Sequence, residues 1–178
     1  MRILQWVLLA ASVTVGVIWV FLFQNWIFLN IFPGLLVGPG LKLDEYLQTG
    51  SSPAFTVLWA GCIAALLIWL ARTMTSRPRS SAQVRSMQPQ WWLAAVLLTG
   101  FGWLCLGWFT IFRWQVTGTS PIEGANVNFY PVPPGGWILL IGFVLFDVVL
   151  LFWLPTMLAS PRTYRFVVPG AVTILGSR

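Results

Sequence analysis

The chain contains no histidine. Its absence removes the commonest protein ligand for haem, zinc and copper and the commonest general base. Carboxylates are almost as scarce: Asp44, Glu45, Glu123 and Asp147 are the only four in 178 residues. Asp44 and Glu45 are neighbours, so on a helix they would point about 100° apart and would not clasp one substrate atom. They read as part of a solvated loop. No Gly-rich phosphate loop, HExxH or GxSxG occurs, although each would signal a specific chemistry. No enzyme activity is expected, and no catalytic or metal-ligating residue is assigned. There are two cysteines, Cys62 and Cys105, both inside apolar runs and neither in a CxxC pair. They imply no disulfide framework and read as small packing residues.

Charge is the other deficit. Charged residues make up 8% of the chain, against about 25% in soluble domains. With 58% apolar residues, such a chain cannot cover a globule with polar groups, and lipid is the solvent that suits it. The length allows one small bundle. The formal charge of +6 does not point to nucleic acid, because the arginines flank apolar runs and membrane topology already explains them. No soluble substrate is inferred.

Four apolar runs are present: 3–23, 53–71, 91–112 and 137–158. Each approaches the ~20 residues needed to cross ~30 Å of hydrocarbon as a helix. Helices are expected because every backbone N–H in lipid must be bonded within its own segment. The fold class is therefore all-α, a single four-helix transmembrane domain. The first run is too long for the ~7–15 residue core of a signal peptide and has no clear cleavage site, so it reads as an uncleaved anchor. With the N-terminus inside, Arg2, Arg72, Arg77, Arg79, Arg85, Arg162, Arg165 and Arg178 fall on the inner side, whereas Lys42 and Arg113 fall outside. The positive-inside rule then predicts both termini in the cytoplasm. Residues 24–52 form an outer interfacial loop in which helix 1 overruns the membrane and the chain then lies along it. Residues 72–90 form a basic cytoplasmic loop, and 161–178 a cytoplasmic tail too apolar to float free. Arg72, Arg77, Arg79, Arg85, Arg162 and Arg165 are expected to set topology and meet anionic headgroups. Trp6, Trp69, Trp91, Trp92 and Trp153 would belong to an inner aromatic belt, and Trp26, Trp108, Trp114 and Trp137 to an outer one.

Asp147 stands apart. It lies about ten residues into the fourth run, roughly 15 Å deep. An Asp there costs about 2.5–3.5 kcal/mol, while the fourteen Leu, Ile, Val and Phe residues from Ile138 to Leu154 return about 0.3–0.6 kcal/mol each. The helix still inserts, but the acid needs a partner or a role. Positions three and four away on its own helix are Phe143, Val144, Leu150 and Leu151, so the partner must come from elsewhere. Matched for depth, the candidates are Ser12, Thr14 and Thr99. With no cation at that depth, the acid is expected to be neutral and to donate a hydrogen bond. Small residues at Ser12-xxx-Gly16, Ala60-xxx-Ala64, Gly61-xxx-Ala65, Ala95-xxx-Thr99, Gly100 and Gly102 mark candidate helix contacts.

In tryptophan content the chain resembles the tryptophan-rich translocator proteins. Those have five helices and a Trp/Pro motif missing here, which sets that kinship aside. The aromatic helices and the tail Ser160-Pro161-Arg162-x-Tyr164-Arg165-Phe166 resemble small cyanobacterial membrane proteins in texture. That resemblance implies a thylakoid or plasma membrane and a photosynthetic or respiratory host complex. Without histidine to ligate chlorophyll magnesium, pigment or carotenoid contact would fall to Trp and Phe. No cofactor is expected, although bound lipid is. The function expected by subtraction is a non-enzymatic accessory subunit or assembly factor working with other integral membrane subunits. The alternative is an oligomeric proton or small-solute channel or carrier built on Asp147.

The split of basic residues generates a direct test. A reporter fused after Arg178 should be cytoplasmic, and a cysteine placed in 113–136 should label from outside intact cells. Labelling only after permeabilisation would overturn the orientation.

Overall fold

Four long helices account for most of the chain, and their ends follow from a few local signals. A computed structural model describes residues 2–32, 36, 52–76, 80–109 and 134–171. Helix α1 (residues 2–30) is α-helical over Arg2–Ile18, takes a π turn over Trp19–Phe23 and returns to α over Gln24–Asn30. Helix α2 is Ser52–Thr75. The short helix α3, Ser81–Arg85, is capped by the Ser80 side chain, which accepts from the Gln83 N–H, a standard N-cap bond. Helix α4 is Gln88–Gly107, with Pro89 in its first turn, where a missing N–H is harmless. Helix α5 (residues 134–159) runs over Pro134–Val148, a π turn at Val149–Trp153, and Leu154–Ala159. Pro155 explains that π turn: proline has no N–H, and its ring crowds the carbonyl four residues back, so the preceding turn widens. Ser160 ends α5 in extended backbone, as a residue before proline prefers.

Helices α1, α2, α4 (taken with α3) and α5 are each long and apolar enough to cross a membrane. Helices α2 and α5 pack together at the centre, and α1 and α4 each pack on both. The N-terminal part of α1 lies against Leu154–Ala159 of α5. Trp69 near the end of α2 bonds Ser160, and Trp91 near the start of α4 bonds Thr156. The helices therefore run up, down, up and down, with the start of α1 and the end of α5 at the same end of the bundle.

The core is a stack of residues at helical spacing. Leu58, Cys62 and Leu66 on α2 face Leu140, Val144, Val148 and Leu151 on α5, with Leu98, Cys105 and Leu106 from α4 and Leu9 and Val20 from α1. Both cysteines are free and buried, as packing residues should be. Outward faces are equally apolar: Ile3, Ile68, Leu93, Val96, Leu104 and Ile138 are all exposed. A bundle in water would place polar side chains there.

At two glycines, side chains of neighbouring helices press against the helix backbone. A Cβ built on Gly102 would meet Val144 Cγ1 at 2.6 Å and Leu58 Cδ2 at 3.1 Å; on Gly16 it would meet Leu151 Cδ2 at 2.8 Å. Other expected contacts differ. Ala60 and Ala64 are exposed, and a Cβ on Gly100 would meet nothing within 4 Å.

Past Pro161 the chain folds back onto its own bundle. A 3-10 turn, Arg162–Tyr164, buries Tyr164, whose hydroxyl donates to the Ser76 carbonyl at 3.2 Å. Val167, Val168 and Ala171 are buried. Gly170, at φ 78°, is in the left-handed region that favours glycine. Arg77, Arg79, Arg113, Lys42, Asp44, Glu45, Glu123, Trp114 and residues 172–178 lie outside the described residues, as does the Arg162 side chain.

The helix boundaries extend the expected ones. The first helix continues to Asn30, so 24–30 is helix rather than loop, and α2 runs past 71 to Thr75. Gln24 and Phe28 are buried in that extension.

Gly102→Val should lower the unfolding free energy in detergent by about 1–3 kcal/mol, the usual cost of overpacking. Gly100→Ala should be neutral or slightly stabilising. Equal responses of the two variants in a denaturant titration would contradict the close approach at Gly102.

Candidate functional site

Asp147 is on the inner face of α5 and is completely buried, at 0% exposure. Its partner is Trp19, the first residue of the π turn in α1, whose Nε1–H donates to Asp147 Oδ1 at 2.7 Å. The indole is held in place by Phe146, with ring centroids 4.9 Å apart, and by Phe143 at 6.3 Å. Both rings sit on the same α5 turn as the carboxyl, so the indole is clamped and its N–H is aimed. No proline accounts for the π turn at Trp19–Phe23, which coincides with this contact.

Gln24, one turn and a half further along α1, lies against the same carboxyl and is 1% exposed. Among the described residues, no hydrogen bond reaches Asp147 Oδ2 or either Gln24 amide atom. An amide complements either form of the acid: its NH₂ suits a carboxylate and its oxygen suits a protonated carboxyl. Cys62 on α2 is within electrostatic range of Asp147. A carboxyl, an amide and an indole thus meet inside an apolar bundle. Among the described residues, no group of three His, Cys, Asp or Glu side chains could hold a metal ion.

The depth-matched candidates do not join this cluster. Ser12 Oγ donates to Leu8 O at 2.8 Å, Thr14 Oγ1 to Ala10 O at 2.9 Å, and Thr99 Oγ1 to Ala95 O at 2.9 Å. Hydroxyls in apolar helices commonly bond the carbonyl four residues back. The mismatch has a geometric cause. A helix over 3–23 has its midpoint near 13, whereas α1 runs over residues 2–30 with its midpoint near 16, which moves the middle of the helix towards Trp19. A midplane Trp with its N–H unspoken for was the signal available in the sequence.

Three further tryptophans are also donors. Trp69 of α2 donates to Ser160 Oγ at 3.0 Å, Trp91 of α4 to Thr156 Oγ1 at 3.1 Å, and Trp153 of α5 to the Pro169 carbonyl at 2.8 Å. Thr156 in turn donates to the Trp153 carbonyl at 2.8 Å. Trp69 and Trp91 are buried, unlike ordinary belt residues, whereas Trp6, Trp26, Trp92 and Trp108 are exposed as a belt requires. Of the basic residues, Arg72 and Arg85 are exposed and Arg165 is half-buried at the same end of the bundle.

Between α4 and α5 lies a cleft of about 610 Å³ lined by Trp91, Trp92, Gly100, Trp103, Leu145 and Trp153, among others. Comparison with known proteins finds no relative: no protein-family model matches the chain, and no curated protein or solved structure is similar to it.

The Trp19–Asp147 bond should show as a coupling of about 0.6–2 kcal/mol, the range for intramembrane hydrogen bonds, in a double-mutant cycle of Trp19→Phe and Asp147→Leu. Asp147→Asn keeps an acceptor for the indole and should stay near wild type. The readout is reversible unfolding in mixed micelles. Strictly additive losses would show that the bond contributes nothing.

Proposed function

We propose that the chain is an integral membrane protein with both termini in the cytoplasm. In this reading it is a non-enzymatic accessory subunit or assembly factor of a larger membrane complex, photosynthetic or respiratory. The four apolar helices, and the apolar residues on their outer as well as inner faces, support insertion. Arg72, Arg85 and Arg165 at the end where α1 begins and α5 finishes support the orientation.

The observation that carries the subunit reading is how the polar groups are divided. Those inside the bundle are taken up largely by indole bonds that tie its own helices together. The outside presents large aromatics, Trp26, Trp92, Trp103 and Trp108, which suit contact with neighbouring helices and lipid better than chemistry. Asp147, buried within its own chain, serves the bundle in this reading and does not bridge to another subunit.

One observation favours the alternative, an oligomeric proton or small-solute carrier: the unpartnered Oδ2 of Asp147 beside the Gln24 amide. Purification of the tagged chain in mild detergent separates the two readings. A stoichiometric complex with other membrane subunits is expected. A pure homo-oligomer whose proton flux is lost in Asp147→Asn, with assembly intact, would replace the first reading by the second.

A further inference from the structure

Trp19 and Gln24 are five residues apart on α1. In a regular α-helix such residues point about 140° apart and would not both face one group on α5. The π turn Trp19–Phe23 changes that. The Gln24 N–H closes it by bonding the Trp19 carbonyl, and a bond of that span places residue 24 over residue 19. The indole and the amide then reach the same carboxyl: Trp19 Nε1 donates to Asp147 Oδ1 at 2.7 Å, and Gln24 lies beside it. Single π turns inside α-helices recur at functional sites.

Three polar atoms meet there with no hydrogen bond from any described residue: Asp147 Oδ2, Gln24 Oε1 and Gln24 Nε2. Asp147 is 0% exposed and Gln24 1%. Buried polar side chains are, with few exceptions, hydrogen-bonded. One direct bond between these two leaves an atom over. An NH₂ turned to Oδ2 strands the amide oxygen, and an oxygen turned to a protonated Oδ2 strands the NH₂. The α1 hydroxyls cannot supply the rest, because Ser12 and Thr14 donate to their own helix. The chemistry of the three atoms selects a small partner that both donates and accepts. A cation would find two unused oxygens where hard cations take about six or more, and it would leave the NH₂ unbonded. A water takes the N–H and the oxygen of one amide edge together and still donates its second hydrogen to Oδ2. Buried waters make about three such bonds.

We propose that Asp147 Oδ2 and the Gln24 amide hold one structural water, which joins α1 to α5 a second time beside the Trp19 bond. Gln24 is the residue that positions this water, and the π turn of α1 is what turns Gln24 towards it. The bonding works for either form of the acid: a carboxylate accepts from the water, and a carboxyl donates to it. The site belongs to the folded bundle and is the same under both functional readings above.

The test is nuclear magnetic resonance on the full chain in detergent micelles, isotopically labelled at the glutamine and tryptophan side-chain nitrogens. Magnetisation transfer from water to the Gln24 amide protons is measured at mildly acid pH, where amide hydrogens exchange slowly. Gln24→Met assigns the signal by removing it, and the Trp19 indole signal should stay in place in that variant. Wild type should show transfer to Gln24 with the sign of a long-lived bound water, in contrast to Gln88 and Gln90, which are exposed. Asp147→Asn has no carboxyl proton to relay the transfer but keeps a side-chain oxygen, and it should retain the signal. Absence of transfer to Gln24 in wild type means that the two side chains pair directly, and it overturns the proposal. Loss of transfer in a folded Asp147→Asn does the same, because the carboxyl proton was then its source. Should that variant not fold, the wild-type spectrum still decides. Neither result bears on what the chain assembles with, so the functional reading stands or falls separately.

Discussion

An indole carries one hydrogen to donate and no acceptor, inside a large apolar ring. In an apolar bundle it can reach a polar partner while the rest of its surface packs as hydrocarbon. That property organises this molecule. Each of the other three long helices sends one tryptophan to α5 or the residue after it: Trp19 to Asp147, Trp69 to Ser160 and Trp91 to Thr156. Helix α5 replies with Trp153, which fastens the tail. Apolar helices in hydrocarbon gain little from burying still more hydrocarbon, so packing and a few directed bonds must choose one register among many. Donors on three helices converging on one helix make that choice.

The arrangement also explains why an expensive carboxyl is tolerated. Asp147 receives a clamped donor from α1, with the Gln24 amide beside it, and the cost of taking it out of water is set against fixing α1 relative to α5. The π turns of α1 and α5 occur at this level of the bundle, one beginning at Trp19 and the other two residues after Asp147. The second follows from Pro155. Wider turns shift side-chain direction by a fraction of a turn, which here accompanies the meeting of an indole and a carboxyl from different helices. The lower end of the bundle is treated differently: Trp69, Trp91, Trp153 and Tyr164 stitch α2, α4, α5 and the tail into one closed end, and they leave the tryptophan-walled cleft beside it.

Much of the fold was legible from residue types. Apolar runs of membrane-crossing length, the prolines and the small residues at Gly16 and Gly102 announce four helices and where two of them touch. The site was legible only in part. Asp147 is conspicuous because an acid at that depth is costly wherever it faces. Its partner was not, because Trp26-Ile27-Phe28-Leu29 is equally apt for an interfacial loop and for a helix that keeps going. Ending α1 early moves its midpoint back by about three residues and points to Ser12 and Thr14. Gln24 was hidden by the same boundary, since a polar residue after an apolar run ordinarily marks its end. The distinction between belt tryptophans and buried donors was equally invisible, because composition places Trp near an interface without saying which way the ring turns.

What the sequence by itself determined was the secondary structure: four helices long and apolar enough to cross a membrane. With so few charges and four runs of this length, the backbone must bond to itself as helices, and no arrangement of neighbours changes that. Which residues meet was decided by the tertiary structure alone. Pairing across helices depends on rotation and axial register, and both are set by contacts between positions far apart in the chain, such as Trp19 with Asp147 and Gly102 with Val144. A shift of one turn leaves the apolar pattern nearly unchanged and every polar bond broken, so the pattern cannot encode the pairing by itself.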